Sequence, residues 1–294
     1  MAGENVTMLH FTLCADDFGL HQDADNGIID LVQAGRLNAV SCMSVGPTLG
    51  QNAGRLLQAA ADGRAQIGLH LTFTEYAPVG LMPHLAPDGV LPAIGALIQQ
   101  AHLRKLRQNE ITEQVSRQLR VFTETFGRLP DFIDGHQHAH ILPGIRDAVI
   151  AAVLNMPRGV WVRSCDLPLS RLLSLGIARR RAVIISTLAR RLKRKLLRHH
   201  VPTNGVFFGV NDFDPHQDFG DMMRIWMDAA RTSGKPALIM CHPGHPKTTD
   251  IWDPIAVRRP DELSYLASDQ FEQDMVLRDM TLVAQPVAAS AQNA

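Results

Sequence analysis

The sequence predicts an α/β protein, a (β/α) barrel, complete or partly open and irregular in outline, with parallel strands inside and helices outside. Three observations carry this. Short apolar runs alternate with amphipathic helical stretches along nearly the whole chain, the pattern of repeated strand–helix units. The polar clusters fall at the ends of the apolar runs, where such folds collect their function. And 294 residues suit one large α/β unit, since barrels of about 200 to 250 residues or more are often single domains. Residues 1–287 are read as that domain and 288–294, small and polar, as a loose tail.

In order, residues 8–14 form the first apolar run, read as a strand. Residues 23–34 are helical, with Ile28, Ile29, Leu31 and Val32 as an apolar stripe and Gly35 as a stop. Residues 39–45 read as the second strand, 51–61 as the second helix and 65–73 as the third strand. The Pro- and Gly-rich stretch 75–91 reads as a long loop, of the kind usually functional or disordered. Residues 111–126 are an amphipathic helix, 131–133 a short strand, 145–155 a helix and 160–163 a strand. Phe207 and Phe208 mark another strand, followed by a helix at 221–232, a strand at 237–241 and a last one at 280–284.

Composition excludes several classes. The chain is 46% hydrophobic and 20% charged, ordinary for a globular protein, and its formal net charge of zero gives no global field to attract nucleic acid. Neither glycine-rich phosphate-loop pattern occurs. The first thirteen residues show no basic segment and no long apolar run, so no signal peptide or membrane span is expected. Cys14, Cys42, Cys165 and Cys241 lie far apart and read as buried free thiols in a reducing cytoplasm.

The strongest chemical signal is Asp134-Gly-His136-Gln-His138-Ala-His140. On an extended segment, alternate side chains point to one side, which would set three imidazoles on one face toward an ion. One or two would ligate, the others would bind substrate or support structure, and Asp134 would orient an imidazole. His70 ends another apolar run; alone it would more often be a core histidine, but the matching His clusters change that reading. Asp16 and Asp17 are adjacent carboxylates that a regular strand would send to opposite faces. They share a site only if the chain turns at Phe18-Gly19, one binding metal and the other free as a base; alternatively Asp17 caps the following helix. His242, before Pro243-Gly244, has the side chain for a general acid, and Arg163, ending a strand, could hold the free aspartate.

Between Asp166 and Asp212 there is no acidic residue, while arginines and lysines crowd residues 179–198 among Val183, Ile184, Ile185, Leu188 and Leu192. This is a basic amphipathic helix. It packs on the core by its apolar stripe, or it contacts an anionic membrane surface or lipid-linked substrate.

Taken together the clusters resemble the YdjC-like carbohydrate deacetylases, which include chitooligosaccharide deacetylases and hopanoid-biosynthesis-associated deacetylases. The matching residues are Ala15-Asp16-Asp17-Phe18-Gly19-Leu20 with Asn26-Gly27-Ile28, then Gly68-Leu69-His70-Leu71-Thr72. They continue with the histidine run and Pro143, and with His242-Pro243-Gly244, in the family's order from about residue 8 to 270. The resemblance implies one divalent ion, Zn or Mg foremost, held by Asp17, His70 and His136. It implies Asp16 as general base, His242 as general acid, Arg163 as a supporting catalytic residue, and His138 and His140 on the substrate side. It implies an N-acetylated sugar substrate and no nucleic-acid partner. The basic stretch departs from the chitooligosaccharide branch, which leans toward a lipid-linked sugar and a cytoplasmic protein peripheral to the inner membrane face. Other readings are a metal-dependent hydrolase of another amide or ester bond, a glycosidase, or a non-catalytic carbohydrate- or lipid-binding protein. Adjacent aspartates suit a glycosidase poorly, because its two carboxyls flank the bond about 5 to 9.5 Å apart.

Overall fold

The structure is a computed structural model that describes residues 8–157 and 159–282. The 288–294 tail, the 287 boundary and the first seven residues, on which the expectation of no signal peptide partly falls, lie outside the described residues. The chain forms β1 (Leu9–Phe18), α1 (Gln22–Gln33), β2 (Ala39–Cys42), α2 (Leu49–Ala59), β3 (Gln66–Leu71), α3 (Ile94–His102) and α4 (Gln108–Phe126). It continues through β4 (Phe132–Gly135), α5 (Ile145–Leu154), β5 (Trp161–Val162), α6 (Leu169–Leu175), α7 (Arg179–Arg198) and β6 (Val206–Phe208). It closes with α8 (Phe219–Ser233), β7 (Ala237–Cys241), α9 (Arg259–Ala267), α10 (Asp269–Val276) and β8 (Met280–Leu282).

The strands form one parallel sheet in the order β5-β4-β3-β2-β1-β7-β6, with β8 paired to the start of β1. This is the expected barrel in its partly open form, and the opening lies between β5 and β6. Chain 202–204 bridges it: the Val162 N–H donates to the Pro202 carbonyl at 3.0 Å. The Ser164 N–H donates to Asn204 Oδ1 at 2.7 Å, while Asn204 Nδ2 donates to the carbonyls of Ser164 at 2.9 Å and Val206 at 3.0 Å. One side chain thus supplies the acceptor and the two donors that a missing ladder would have supplied.

Apolar packing fixes the strand ends. Phe132 stacks on Trp161 with ring centroids 4.4 Å apart. Phe132 fits because β3 has Gly68 beneath it; a Cβ there would sit 2.3 Å from the ring. All four cysteines are buried free thiols.

Several expectations need correction. The histidine run is not extended: β4 stops at Gly135 and residues His136–Ile141 form a tight 3-10 turn with Gln137 and His138 in left-handed conformation, φ 50° and 59°. The turn buries Ala139, Ile141 and Leu142, and it sends the three imidazoles in different directions. Strand β1 runs four residues past its predicted end, and β2 ends three residues early. Helices α3, α6, α9 and α10 have no counterpart in the sequence reading, because their apolar stripes are short and interrupted. No described helix is long and apolar enough to cross a membrane.

Asn204→Ala is expected to lower stability by on the order of 2–4 kcal/mol in urea unfolding, because it orphans the buried Ser164 N–H and carbonyl at the seam. A loss under about 0.5 kcal/mol, the size of an ordinary surface substitution, would mean the seam does not depend on it.

Candidate active site

At the C-terminal end of β1, the ladder with β2 shifts register between Ala15 and Phe18. The break is Asp17 itself, with φ 68°, one residue before the expected turn. Aspartate tolerates this left-handed region better than most residues. The bulge lets both Asp16 and Asp17 face the barrel interior, where each is 2% exposed. Asp25 on α1 secures the loop that follows: it accepts from the Gly19 N–H at 2.6 Å, from Thr48 Oγ1 at 2.6 Å and from Asn52 Nδ2 at 2.7 Å. Asp17 does not cap α1. His21 does, its Nδ1 accepting from the Ala24 N–H at 3.1 Å.

Asp17, His70 from the end of β3 and His136 from the first position after β4 converge, with one donor atom of each within 4.8 Å of the others. Asp17 Oδ1 lies 2.9 Å from His136 Nδ1 and 3.4 Å from His70 Nε2. His70 Nδ1 donates to Asp134 Oδ1 at 2.6 Å, and Ser41 Oγ donates to the same oxygen. Thus Asp134 orients His70, not a member of its own run. This bond aims Nε2 toward Asp17 and, in neutral His70, puts the proton on Nδ1 and leaves the Nε2 lone pair for an ion, which is how carboxylates orient metal-binding imidazoles. One carboxylate oxygen and two imidazole nitrogens, pre-aimed with the outer partner in place, are a donor set that fits a divalent ion.

Asp16 is held by Arg163, which follows β5. Arg163 Nη1 and Nη2 each donate to a different Asp16 oxygen at 2.6 Å. Nη2 also reaches Asp134 Oδ2 at 2.5 Å and Cys14 Sγ at 3.0 Å. A second guanidinium mirrors it. Arg259 Nη2 donates to Asp17 Oδ2 at 2.8 Å and its Nε to Asp253 Oδ2 at 2.7 Å, while His21 Nε2 lies 3.1 Å from that same Asp253 oxygen.

Four buried carboxylates, Asp16, Asp17, Asp134 and Asp253, therefore face two guanidiniums, Arg163 and Arg259. With neutral imidazoles, two negative charges stay uncompensated, the charge of one divalent cation. The protein alone shows the same demand. Burial would lower the His70 pKa, yet the pull of Asp134 and Asp16 and its hydrogen bonds to Asp134 and Asp17 lift it to about 10. Burial likewise works to raise Asp17, but His136, His70 and Arg259 hold it well below the usual carboxylate range.

His242, just beyond β7, lines the same cavity as Asp16, Asp17, His70 and His136. Its Nδ1 is buried with no hydrogen-bond partner. Burial, outweighing Asp17 and Asp16, lowers its pKa to about 4, so it is neutral at neutral pH. The loop carrying it packs on α1 at Gly27, where a Cβ would come 2.7 Å from the Gly244 Cα. Its backbone N–H donates to the buried Glu262 Oε2 at 2.5 Å. His138 lines the cavity, 9% exposed, whereas His140 is fully buried. The His140 Nε2 donates to the Arg163 carbonyl at 3.0 Å, so it supports Arg163 and does not reach the cavity. Sequence reasoning missed Arg259, Asp253, Glu262, Ser41 and Tyr76. Arg259 and Asp253 sit only six positions apart in a strandless segment, and no motif flags them.

A family profile described as YdjC-like protein matches residues 10–276. A Mus musculus protein named carbohydrate deacetylase is 28% identical over 254 residues, 81% of this chain and 79% of its own. A chitooligosaccharide deacetylase of Salmonella schwarzengrund is 33% identical over 150 residues, 51% of this chain and 56% of its own. A solved structure described as a "putative cellobiose-phosphate cleavage protein" from Enterococcus faecalis V583 superposes with a TM-score of 0.75 at 18% identity. It covers 94% of this chain and 97% of its own, and it establishes the fold alone.

Burial raises the Glu262 carboxyl to about 7, against the opposing His242 N–H and the two arginines Arg259 and Arg258. A carboxyl raised in the folded state favours folding while protonated. Its penalty is absent below the unfolded value near 4.5, grows as pH climbs to 7 and is constant above. Glu262→Gln keeps the acceptor without titrating. Its stability relative to the parent should therefore improve by on the order of 1–3 kcal/mol between pH 5 and pH 8 in thermal unfolding. A difference independent of pH would contradict the assignment.

Proposed function

The chain belongs to the YdjC-like family, and from that premise we propose that it is a metal-dependent carbohydrate N-deacetylase, a hydrolase that releases acetate from an N-acetylated sugar. The observation that carries this reading is the convergence of Asp17, His70 and His136 beside an aspartate, Asp16, whose two oxygens are clamped by one guanidinium. The names of the mouse and Salmonella relatives support the substrate class.

In this reading Asp17, His70 and His136 hold one divalent ion, Zn or Mg foremost. When bound, the ion supplies Lewis acidity toward water and the acetyl oxygen. Asp16 acts as general base. Arg163 uses one lone pair of each Asp16 oxygen, and Cys14 Sγ also approaches Oδ1, so the second lone pair of Oδ2 is the one that takes the proton of the attacking water. Arg259 and Asp253 keep the second oxygen of Asp17 turned away from the cavity's reacting side. His242 is the general acid; it starts neutral, so it takes up the proton that Asp16 removed from the attacking water and gives it to the leaving nitrogen. His138 faces substrate, and His140 serves as a positioning residue through Arg163. The exposed arginines of α7 draw the protein to an anionic membrane surface, on the cytoplasmic side. Residues 1–287 act as one domain, and the substrate is an oligosaccharide or a lipid-linked glycan.

Acetate release from N-acetylated sugars, assayed with and without chelator, tests the reading. Asp16→Asn is expected to retain the ion at full stoichiometry and lose about 10²- to 10⁴-fold in kcat. His136→Ala should lose the ion together with activity. A folded, metal-free His136→Ala enzyme with full turnover would sink the scheme.

A further inference from the structure

Resting on the deacetylase reading, we infer that Glu75, held in place by Gln137, is the acceptor that reads a hydroxyl of the reacting sugar ring. Both residues line the cavity that contains Asp16, Asp17, His70 and His136. Gln137 follows His136 directly in the turn after β4, so the pair borders the reacting centre. Gln137 Nε2 donates to Glu75 Oε2 at 2.7 Å. Among the described residues nothing donates to the other oxygen, Oε1, and no cation pairs with this carboxylate. Glu75 is only partly buried, and Oε1 is not sealed inside the protein. The two guanidiniums that line the cavity are committed elsewhere. Arg259 holds Asp17 and Asp253, while Arg181 donates to the Asn211 carbonyl at 2.9 Å and lies over the Phe213 ring. Glu75 also stands outside the Asp17, His70 and His136 group, so it is not a ligand of that ion.

The placement of this carboxylate is maintained against local cost. Glu75 and Gln137 both take left-handed backbone, φ 67° and 50°, which neither residue favours. Gln137 Oε1 is buried without a hydrogen-bond partner, a second penalty at the same point. The side-chain bond is not needed to join the chain here. β3 is already paired to β4 as far as Leu71 and Gly135. The Glu75 N–H donates to the Leu91 carbonyl at 3.0 Å, and the Leu91 N–H donates to the Tyr76 carbonyl at 2.9 Å. With the backbone fixed separately, the Gln137 amide serves to aim the carboxylate. Consecutive residues then offer the two kinds of surface that a sugar ring requires. Tyr76 stands edge-on to His136 with centroids 5.6 Å apart and lies 6.2 Å from Trp252, an aromatic wall for the face of the ring. Glu75 beside it serves the hydroxyl edge, where each hydroxyl desolvated without a partner costs free energy. An ionised carboxylate only accepts, so it selects an O–H and rejects an ether, a fluorine or an anionic substituent at that position.

The methyl β-glycoside of N-acetylglucosamine, with its 3-, 4- and 6-deoxy and deoxyfluoro analogues, tests this against the parent protein, Glu75→Gln and Glu75→Ala. Two quantities are followed, kcat/KM for acetate release and Kd from tryptophan fluorescence. Glu75→Gln still accepts from Gln137 Nε2 but turns a donor toward the sugar, so a merely structural role would leave it unchanged. In the parent, removal of one hydroxyl should lower kcat/KM by about 10- to 100-fold, and the fluoro analogue at that position, which cannot donate, should lose as much. In both variants the gap at that position should shrink to within about threefold, while the gaps at the other positions stay as they are. A gap that persists unchanged in both variants overturns the inference and leaves the deacetylase reading intact. So does the absence of a gap at every position, or a fluoro analogue as good as the hydroxyl. If no glycoside releases acetate from the parent, the deacetylase reading fails and Kd decides on Glu75. A deoxy penalty in Kd that vanishes in the variants keeps it as a hydroxyl acceptor; the same penalty in all three proteins, or no binding, removes it.

Discussion

Buried negative charge governs this site. Four carboxylates lie inside the barrel mouth with two guanidiniums between them, and an ion left unpaired in such a place costs several kcal/mol. Each aspartate is accordingly fixed by at least one cation or hydrogen-bond donor. Arg163 bridges Asp16 to Asp134, and Arg259 bridges Asp17 to Asp253. The residual charge collects where two imidazoles from neighbouring strand ends approach Asp17. A divalent ion at that point satisfies at once the charge, the donor types and the orientation already imposed on His70 by Asp134.

The backbone delivers these groups because parallel strands end at the same level. β1, β3, β4, β5 and β7 each contribute within two residues of their last residue: Asp16 and Asp17, His70, His136, Arg163 and His242. Two local departures from regularity complete the set. The bulge at Asp17 brings adjacent carboxylates to one side, and the left-handed turn at Gln137 and His138 separates the three imidazoles into different jobs. Both departures use non-glycine residues at positive φ, strain of on the order of 1–3 kcal/mol each that the surrounding packing holds in place.

Much of this was legible in the sequence, because strand–helix alternation and strand-end polar clusters are local signals. Asp16, Asp17, His70, His136, Arg163 and His242 all come together as the pattern suggested, although their roles rest on the proposed function. What stayed hidden depends on pairing across the fold. Nothing local says that Asp134 reaches back to His70, or that Arg259 crosses 242 positions to Asp17. The extended reading of the histidine run failed for a related reason: alternation of His with small or polar residues looks like a strand, but the need to bury Ala139, Ile141 and Leu142 curls it.

The most direct test of the central claim is the anomalous-scattering map of crystals grown with Mn²⁺ or Zn²⁺. The account predicts one strong peak bonded at once to an Asp17 oxygen, His70 Nε2 and His136 Nδ1, at about 2.0–2.2 Å for Zn, with Asp16 outside the coordination sphere and still clamped by Arg163. A peak elsewhere, a peak ligated by Asp16 in place of Asp17, or no peak at millimolar metal would contradict it.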